Sequence, residues 1–310
     1  VRLATIDVGT NTTLLLVAEV AADGAVEVLA ERAEITRLGR GIGKDGRLGA
    51  AGIAATLDVL RDYAALALGH GARIAAVGTE ALRRAPNASE LLQPAAAILG
   101  TEIEVIDGDR EAALTFRAAA AAFPVEAAGT LVVVDIGGGS TEIVVAEAGR
   151  VAFRRSLPLG SVRLTERHIE HDPPLGAEVA AVRAEVRAAL DAVPLPAGDE
   201  TVVGVAGTVT SLAAMVQRLA SYDPDRVHGY DLALPALHAE IVRLERATQA
   251  ERERIVGLDP RRADVILAGA IVLEEIAMRA GTGKVKVSDR GIRWGLLQEM
   301  SLSWGDRPAP

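Results

Sequence analysis

Runs of β-branched and aliphatic residues alternate along the chain with stretches whose apolar positions recur at helical spacing, the pattern of an α/β fold with mixed sheets. Ala4 to Ile6 and Thr13 to Val20 predict two strands joined by the turn Asp7-Val-Gly-Thr-Asn-Thr12, and Ala25 to Ala33 predicts a third. Ala50 to Leu68 predicts a helix that stops at Gly69-His70-Gly71. A strand at Arg73 to Val77, a helix at Ala88 to Leu99 and a short strand at Ile103 to Ile106 follow. A helix at Arg110 to Ala122, closed by Phe123-Pro124, ends this stretch.

The pattern then begins again. Thr130 to Ile136 is a near-continuous apolar strand that leads through Gly137-Gly-Gly-Ser-Thr141 into a second strand, Glu142 to Glu147. Asp135 falls on Asp7, Gly137 on Gly9, Ser140 on Thr12 and Thr141 on Thr13, at a constant offset of 128 residues. The sequence thus reads as a duplication, with one domain over 1–124 and a second over 125–310. The last helix, at about 291–304, is expected to pack back on the first domain. Two such domains leave a cleft between them, and ligands bind in clefts of that kind.

Composition narrows the partners. Half of the 310 residues are apolar and 24% are charged, which supplies buried cores and excludes general disorder. Lys and Arg number 33 against 42 Asp and Glu, a net charge of −9 that excludes a broad basic surface for nucleic acid. An anion in a small, locally basic cleft remains compatible with it. The absence of cysteine excludes disulfides, thiolate zinc sites and cysteine nucleophiles, and suits a reducing cytoplasm. No apolar run reaches the length of a membrane span, and Val1 leads directly into a strand pattern. The expectation is a soluble, cytoplasmic protein without a membrane partner.

Three glycine-hydroxyl turns carry the candidate chemistry. In the first, Asp7 stands at a strand end before Gly9, Thr10 and Asn11, a loop able to turn N–H groups and hydroxyls toward phosphate oxygens while the carboxylate holds hydrated Mg²⁺. Taken alone it is also an ordinary hairpin turn. The second, Asp135-Ile-Gly-Gly-Gly-Ser-Thr-Glu142, spends three consecutive glycines where a hairpin needs one or two, which suits a bulky ligand meeting bare backbone. Glu142 at its exit is placed to face a metal or a reacting phosphate. The third is Gly207-Thr208, after a strand and before a helix expected from about Ser211, whose amino terminus faces the turn. Glu111 opens a helix in Asp107-Gly-Asp-Arg-Glu-Ala112; an acid there serves the helix dipole or acts as a general base, and the residue type alone leaves both open.

Basic residues gather in glycine-rich segments: Arg37, Arg40, Lys44 and Arg47, then Arg83 and Arg84, then Arg290 and Arg293. Each is ordinarily a solvated charge; grouped, they could supply positive potential for a polyphosphate chain. His168 and His171 read as part of a surface loop, with no third ligand close by. No G-x-x-x-x-G-K-[ST] segment or G-x-S-x-G elbow is present, which argues against a P-loop NTPase and a serine hydrolase.

The paired turns resemble the two phosphate loops of the exopolyphosphatase/guanosine pentaphosphatase (Ppx/GppA) family, in a short two-domain form. Thr79-Glu-Ala-Leu-Arg-Arg-Ala85, Asp107 to Ala112, Leu157-Pro-Leu-Gly-Ser-Val162, Gly204 to Leu212, Gly257-Leu-Asp-Pro-Arg-Arg262 and Ser288-Asp-Arg-Gly-Ile-Arg293 extend the likeness over nearly the whole chain. The resemblance implies two duplicated actin-like (ribonuclease H-like) domains of the actin–Hsp70–sugar kinase superfamily. It implies Glu111 as the base for an attacking water, Glu142 as a second catalytic or metal-organising carboxylate, and Asp7 and Asp135 as Mg²⁺ organisers. Phosphates would meet Gly9, Thr10, Asn11, Arg83, Gly137, Gly138, Gly139, Ser140, Thr141, Gly207 and Thr208. It implies a homodimer as well. Two positions depart from the family's pattern: Arg110 stands where relatives often pair a second acid with Glu111, and Trp294 where they commonly place an acid.

The activity so implied is Mg²⁺-dependent hydrolysis of the terminal phosphate of inorganic polyphosphate. The alternatives are a guanosine pentaphosphate 5′-phosphohydrolase using the same site and a non-catalytic sensor of polyphosphate or nucleotide. An aromatic content of 3% offers few surfaces on which to stack guanine, which favours polyphosphate. An ATP-dependent kinase of the superfamily would need an adenosine site, for which the sequence carries no mark.

Overall fold

Alternate residues of strand β1 (Arg2–Val8) face opposite ways, Ala4, Ile6 and Val8 into one apolar cluster and Leu3 into another. The strand therefore lies at the centre of a sheet covered on both faces. A computed structural model describes residues 1–42, 46–196, 198 and 200–305, without the side chains of 303–305. Lys44 lies outside these residues. The chain divides into two compact units, Val1–Ala118 with the helix from Ile292, and Ala119–Gly291.

The first unit's sheet runs β3-β2-β1-β4-β5, with β2 (Thr12–Val20), β3 (Val26–Ile35), β4 (Arg73–Gly78) and β5 (Ile103–Val105). The β1–β2 and β2–β3 pairs are antiparallel and β1–β4 and β4–β5 parallel. Helices α1 (Ala50–Gly69), α2 (Glu80–Arg84) and α3 (Ser89–Leu99) supply the cluster with Ala4, Ile6 and Val8. The other face is covered by α4 (Gly108–Ala122), whose last turn enters the second unit, and by the chain's final helix. Between them come α5 (Pro124–Ala127), β6 (Thr130–Ile136), β7 (Thr141–Glu147), β8 (Arg150–Leu157), α6 (Ser161–His168), α7 (Gly176–Leu190) and β9 (Thr201–Val205). Then follow α8 (Ala206–Val216), α9 (Pro224–Val227), β10 (Asp231–Ala233), α10 (Leu234–Arg246), α11 (Gln249–Arg252), α12 (Ile266–Arg279), β11 (Lys284–Val287) and α13 (Ile292–Gly305).

The second unit's sheet runs β10-β11-β9-β6-β7-β8. It repeats the first in order and direction, with β10 added at one edge antiparallel to β11. The register repeats as well. Leu3 pairs with Arg73 and Leu131 with Thr201, so the offset of 128 residues extends from the turns into the parallel strands behind them. Two mixed sheets flanked by helices are thus what the alternation of patterns predicts.

Two local expectations are corrected. Helix α8 begins at Ala206, not near Ser211, so Gly207 and Thr208 lie in its first turn. Thr208 through Met215 are all buried, and a helix without a polar face gives no period from which to read its start. His168 closes α6 and pairs with Glu185, while His171 pairs with Glu178 at 2.8 Å. The first belongs to a helix, not to a loop.

Candidate active site

Each unit places a carboxylate at the end of its central strand and a tight turn after it. Gly9 N–H donates to Thr12 O at 3.1 Å, and Gly137 N–H donates to Ser140 O at 3.0 Å, the same bond at matched positions. Asp7, Thr10, Asn11, Asp135, Ser140, Thr141 and Glu142 are all buried.

The turns are anchored from behind. In the first unit Gly39 N–H donates to Thr10 O at 2.8 Å and Arg37 N–H to Asn11 O at 3.0 Å. Gly39 lies so close that a Cβ there would overlap the Thr10 methyl. In the second unit the amino end of α6 does this work. Ser161 N–H donates to Gly137 O at 2.9 Å, and Val162 and Arg163 N–H to Gly138 O at 2.9 and 3.1 Å. A Cβ on Gly160 would strike the Gly138 carbonyl. In a trans peptide the N–H points opposite to the preceding C=O. Holding the Gly137 and Gly138 carbonyls toward α6 therefore turns the Gly138 and Gly139 N–H groups away from it. Holding the Thr10 carbonyl does the same for the Asn11 N–H. Such groups of amides form an anion nest.

Asn11 adds a side-chain donor. Its Nδ2 is buried and has no hydrogen-bond partner among the described residues. A buried donor without an acceptor is costly, and an anionic oxygen would satisfy it.

The carboxylates differ between units. Asp135 and Glu142 are directly opposed on β6 and β7, so both side chains project from one face of the sheet. The matched position opposite Asp7 is Leu14. Ser156 on β8 donates its hydroxyl to Glu142 Oε1 at 2.6 Å. Ser156 was absent from the sequence reading; its signal was its place just before Leu157-Pro-Leu-Gly, in a strand the hydrophobic pattern did not resolve.

Glu111 sits in the first turn of α4, buried, with Arg83 Nη1 at 3.4 Å from its Oε2. The same Arg83 nitrogen donates to Ile106 O at 2.6 Å, and neither Nε nor Nη2 meets a protein acceptor among the described residues. Arg83 is half-buried, with two edges of its fork left for a ligand. In the second unit the guanidinium of Arg262 lies against Gly207, where any Cβ would overlap it. Burial pushes this guanidinium below its usual range. A cation at a helix amino terminus opposes the dipole, an arrangement that a bound anion relieves.

Other basic residues are used elsewhere. Arg293 is buried within α13, donating to Leu15 O at 2.9 Å and pairing with Glu31 at 3.0 Å, so it holds the fold and is removed from the polyphosphate group. Arg47 pairs with Glu90 and Arg84 with Glu80. Trp294 is buried with Leu3, Leu16 and Leu297, and Arg110 is bound to Glu299 through two nitrogens. No helix among the described residues is long and apolar enough to cross a membrane.

Two matched turns with buried carboxylates beside them, on two duplicated mixed sheets, are the features that the comparisons with known proteins address. The Ppx/GppA phosphatase family matches residues 16–304, and the chain belongs to it. It is 40% identical over 317 residues to Exopolyphosphatase 2 of Mycobacterium tuberculosis, covering 97% of this chain and 98% of that one. The Aquifex aeolicus Ppx/GppA family member superposes with a TM-score of 0.82 at 35% identity, covering 99% of both chains. A guanosine-5′-triphosphate,3′-diphosphate pyrophosphatase of Aeromonas salmonicida is 30% identical over 95% of this chain and 58% of its own length. Family membership makes the chain a hydrolase of phosphoanhydride bonds, as its resemblance implied.

Proposed function

We propose that the protein is a Mg²⁺-dependent exopolyphosphatase, which removes the terminal phosphate of inorganic polyphosphate by attack of water. The observation that carries this reading is the buried, unpartnered Nδ2 of Asn11 in a turn whose backbone is already anchored from behind. A donor so held suits phosphate oxygens and has no structural use of its own. The name of the relative at 40% identity supports the substrate.

The chain's own groups divide the work. Phosphoryl transfer needs positioning and neutralisation of charge more than covalent chemistry. The amides of Asn11, Gly138 and Gly139, the hydroxyls of Thr10, Ser140, Thr141 and Thr208, and the donors of Arg83 and Arg262 bind and orient the phosphates. Gly9, Gly137 and Gly207 let backbone approach them closely. Glu111 takes a proton from water as the oxygen bonds to the terminal phosphorus; the P–O bond to the next phosphate breaks, and the shortened chain leaves as an oxyanion.

The residues fit a magnesium ion. Asp135 and Glu142 are buried and directly opposed, a pairing of like charges that a divalent cation would neutralise. Among the described residues no cluster of three or more His, Asp or Glu forms a ready cage, so water and substrate phosphates would have to complete the shell of such an ion. Asp135 and Glu142 are the carboxylates that would hold it; Asp7, which the resemblance implies as a further organiser, forms no cluster of three with them among the described residues. When bound, it supplies neutralisation of charge on the phosphoryl oxygens. A homodimer belongs to the same reading, and sedimentation of the purified chain checks it.

The test is phosphate release with Mg²⁺ from short and long polyphosphates, guanosine pentaphosphate and ATP, beside Glu111→Gln. Release from polyphosphate, lost in the variant, is the expected result. Cleavage of guanosine pentaphosphate alone would transfer the assignment to that substrate, and binding without cleavage of any would make the protein a sensor.

A further inference from the structure

We propose that Arg110 and Glu299 form a positioning pair for Glu111, so that the last helix sets the geometry of the base. The inference rests on the base role given to Glu111 above. Asp107 stands just before helix α4, its carboxylate accepting from Arg110 N–H at 2.8 Å, and Glu111 follows one residue after Arg110 in the first turn. First turns lack half of their internal hydrogen bonds and depend on outside support. Here that support is α13. Its Gly295 meets Leu114 so closely that a Cβ would overlap the Leu114 carbonyl, and Ile292 and Leu296 pack with Leu114 and Ile106.

Arg110 extends this seam by one turn. It lies four residues before Leu114, as Glu299 lies four after Gly295, the spacing that puts each on its helix's contact face. Arg110 Nη1 donates to Glu299 Oε2 at 2.6 Å, and Nη2 donates to Oε1, a two-pronged bond that fixes both side chains. The Arg110 hydrogen bonds hold the Glu299 carboxyl below its usual range, in keeping with a firm pair. Glu111, next along the helix, projects about 100° around from the seam. Rotation or fraying of the first turn would carry its carboxylate off line, and Arg110–Glu299 opposes both, beside Glu104 at 3.8 Å from Arg110 Nε and Arg83 at 3.4 Å from the Glu111 carboxylate.

The full chain is assayed with polyphosphate as wild type, Arg110→Ala, Glu299→Gln, the double variant Arg110→Ala/Glu299→Gln, and the exchange Arg110→Glu/Glu299→Arg, with Tm followed for each. Each single change is expected to lower kcat about 5- to 10-fold with KM within about twofold, since a displaced base loses turnover and not binding. The double variant falls no further than the worse single, and the exchange recovers kcat to within about threefold of wild type. A rise in KM at unchanged kcat would overturn the proposal by making Arg110 a substrate contact. A lower Tm at unchanged kcat and KM would overturn it by making the pair structural. Glu111→Gln in the same series separates the two layers: normal turnover there removes the base reading itself, while an inactive Glu111→Gln beside fully active pair variants removes the positioning role alone.

Discussion

The turn after β1 and the turn after β6 share a register, an initial carboxylate and one internal hydrogen bond, yet they hold their shape and present their donors differently. The first keeps side chains at Thr10 and Asn11 and is backed by the irregular segment 37–39. The second has glycines at both matched positions and is backed by the amino end of α6. One turn adds a side-chain amide, the other offers bare backbone. Behind them, Leu14 stands opposite Asp7 where Glu142 stands opposite Asp135. Duplication supplied a common frame, and the polar groups are distributed unequally on it: the second unit carries the opposed carboxylates Asp135 and Glu142, while the first carries the buried Asn11 amide and, on α4, the buried Glu111.

The largest way to break that division is Glu111→Gln, which is expected to lower kcat roughly 10²-fold or more with KM for polyphosphate little changed. A comparable loss from Glu142→Gln, with the dependence on Mg²⁺ concentration moved upward, would confirm that the two units supply different parts of the reaction. Normal magnesium dependence in that variant would remove Glu142 from the metal.

The backing glycines differ in what they touch. Gly160→Ala drives a methyl into the Gly138 backbone and is expected to cost ~2–3 kcal/mol in urea unfolding, together with most activity. Gly39→Ala meets the end of the Thr10 side chain, which can turn aside, and is expected to cost ~1 kcal/mol, recovered by Thr10→Ser. Equal costs would show that the two turns are supported alike.

Asn11→Ala should raise KM about 10-fold, as expected for loss of a hydrogen bond to a charged group, and leave Tm unchanged or slightly higher. A fall in Tm with normal KM would mean that the amide serves the fold. The smallest effect concerns the second unit alone. His228 stacks on Phe123 at 5.1 Å between ring centroids, and burial first, then Arg290, pull its pKa down to about 4. The unfolded chain therefore binds the proton more readily. Stability from this group is complete above about pH 6.5 and is lost as pH falls toward 4. His228→Phe should flatten that slope in thermal unfolding, and an unaltered slope would rule the histidine out.

Much of this was legible in the chain. The offset between the two Asp-x-Gly turns needs no structure, because residue types that bind phosphate cannot be exchanged freely and a repeat of them at fixed spacing stands out. The strands next to those turns were legible for a related reason: a strand buried on both faces is a continuous apolar run. Helix α8 was misplaced because burial on all sides erased its period, and β8 was missed because Arg150 to Ser156 alternate weakly at a sheet edge.

The sequence by itself determined the duplication, the α/β class and the family, since each is written in local residue type and spacing. The tertiary structure decided what each arginine touches, because a guanidinium's role depends on what lies within about 3 Å of it and not on its neighbours in sequence. Arg293 and Arg110 were drawn into helix contacts, while Arg262, 55 residues from Gly207 along the chain, came to rest upon it. It also decided which way the turn amides face, for peptide planes are fixed by the partners of their carbonyls, and those partners come from segments that no local pattern connects to the turn.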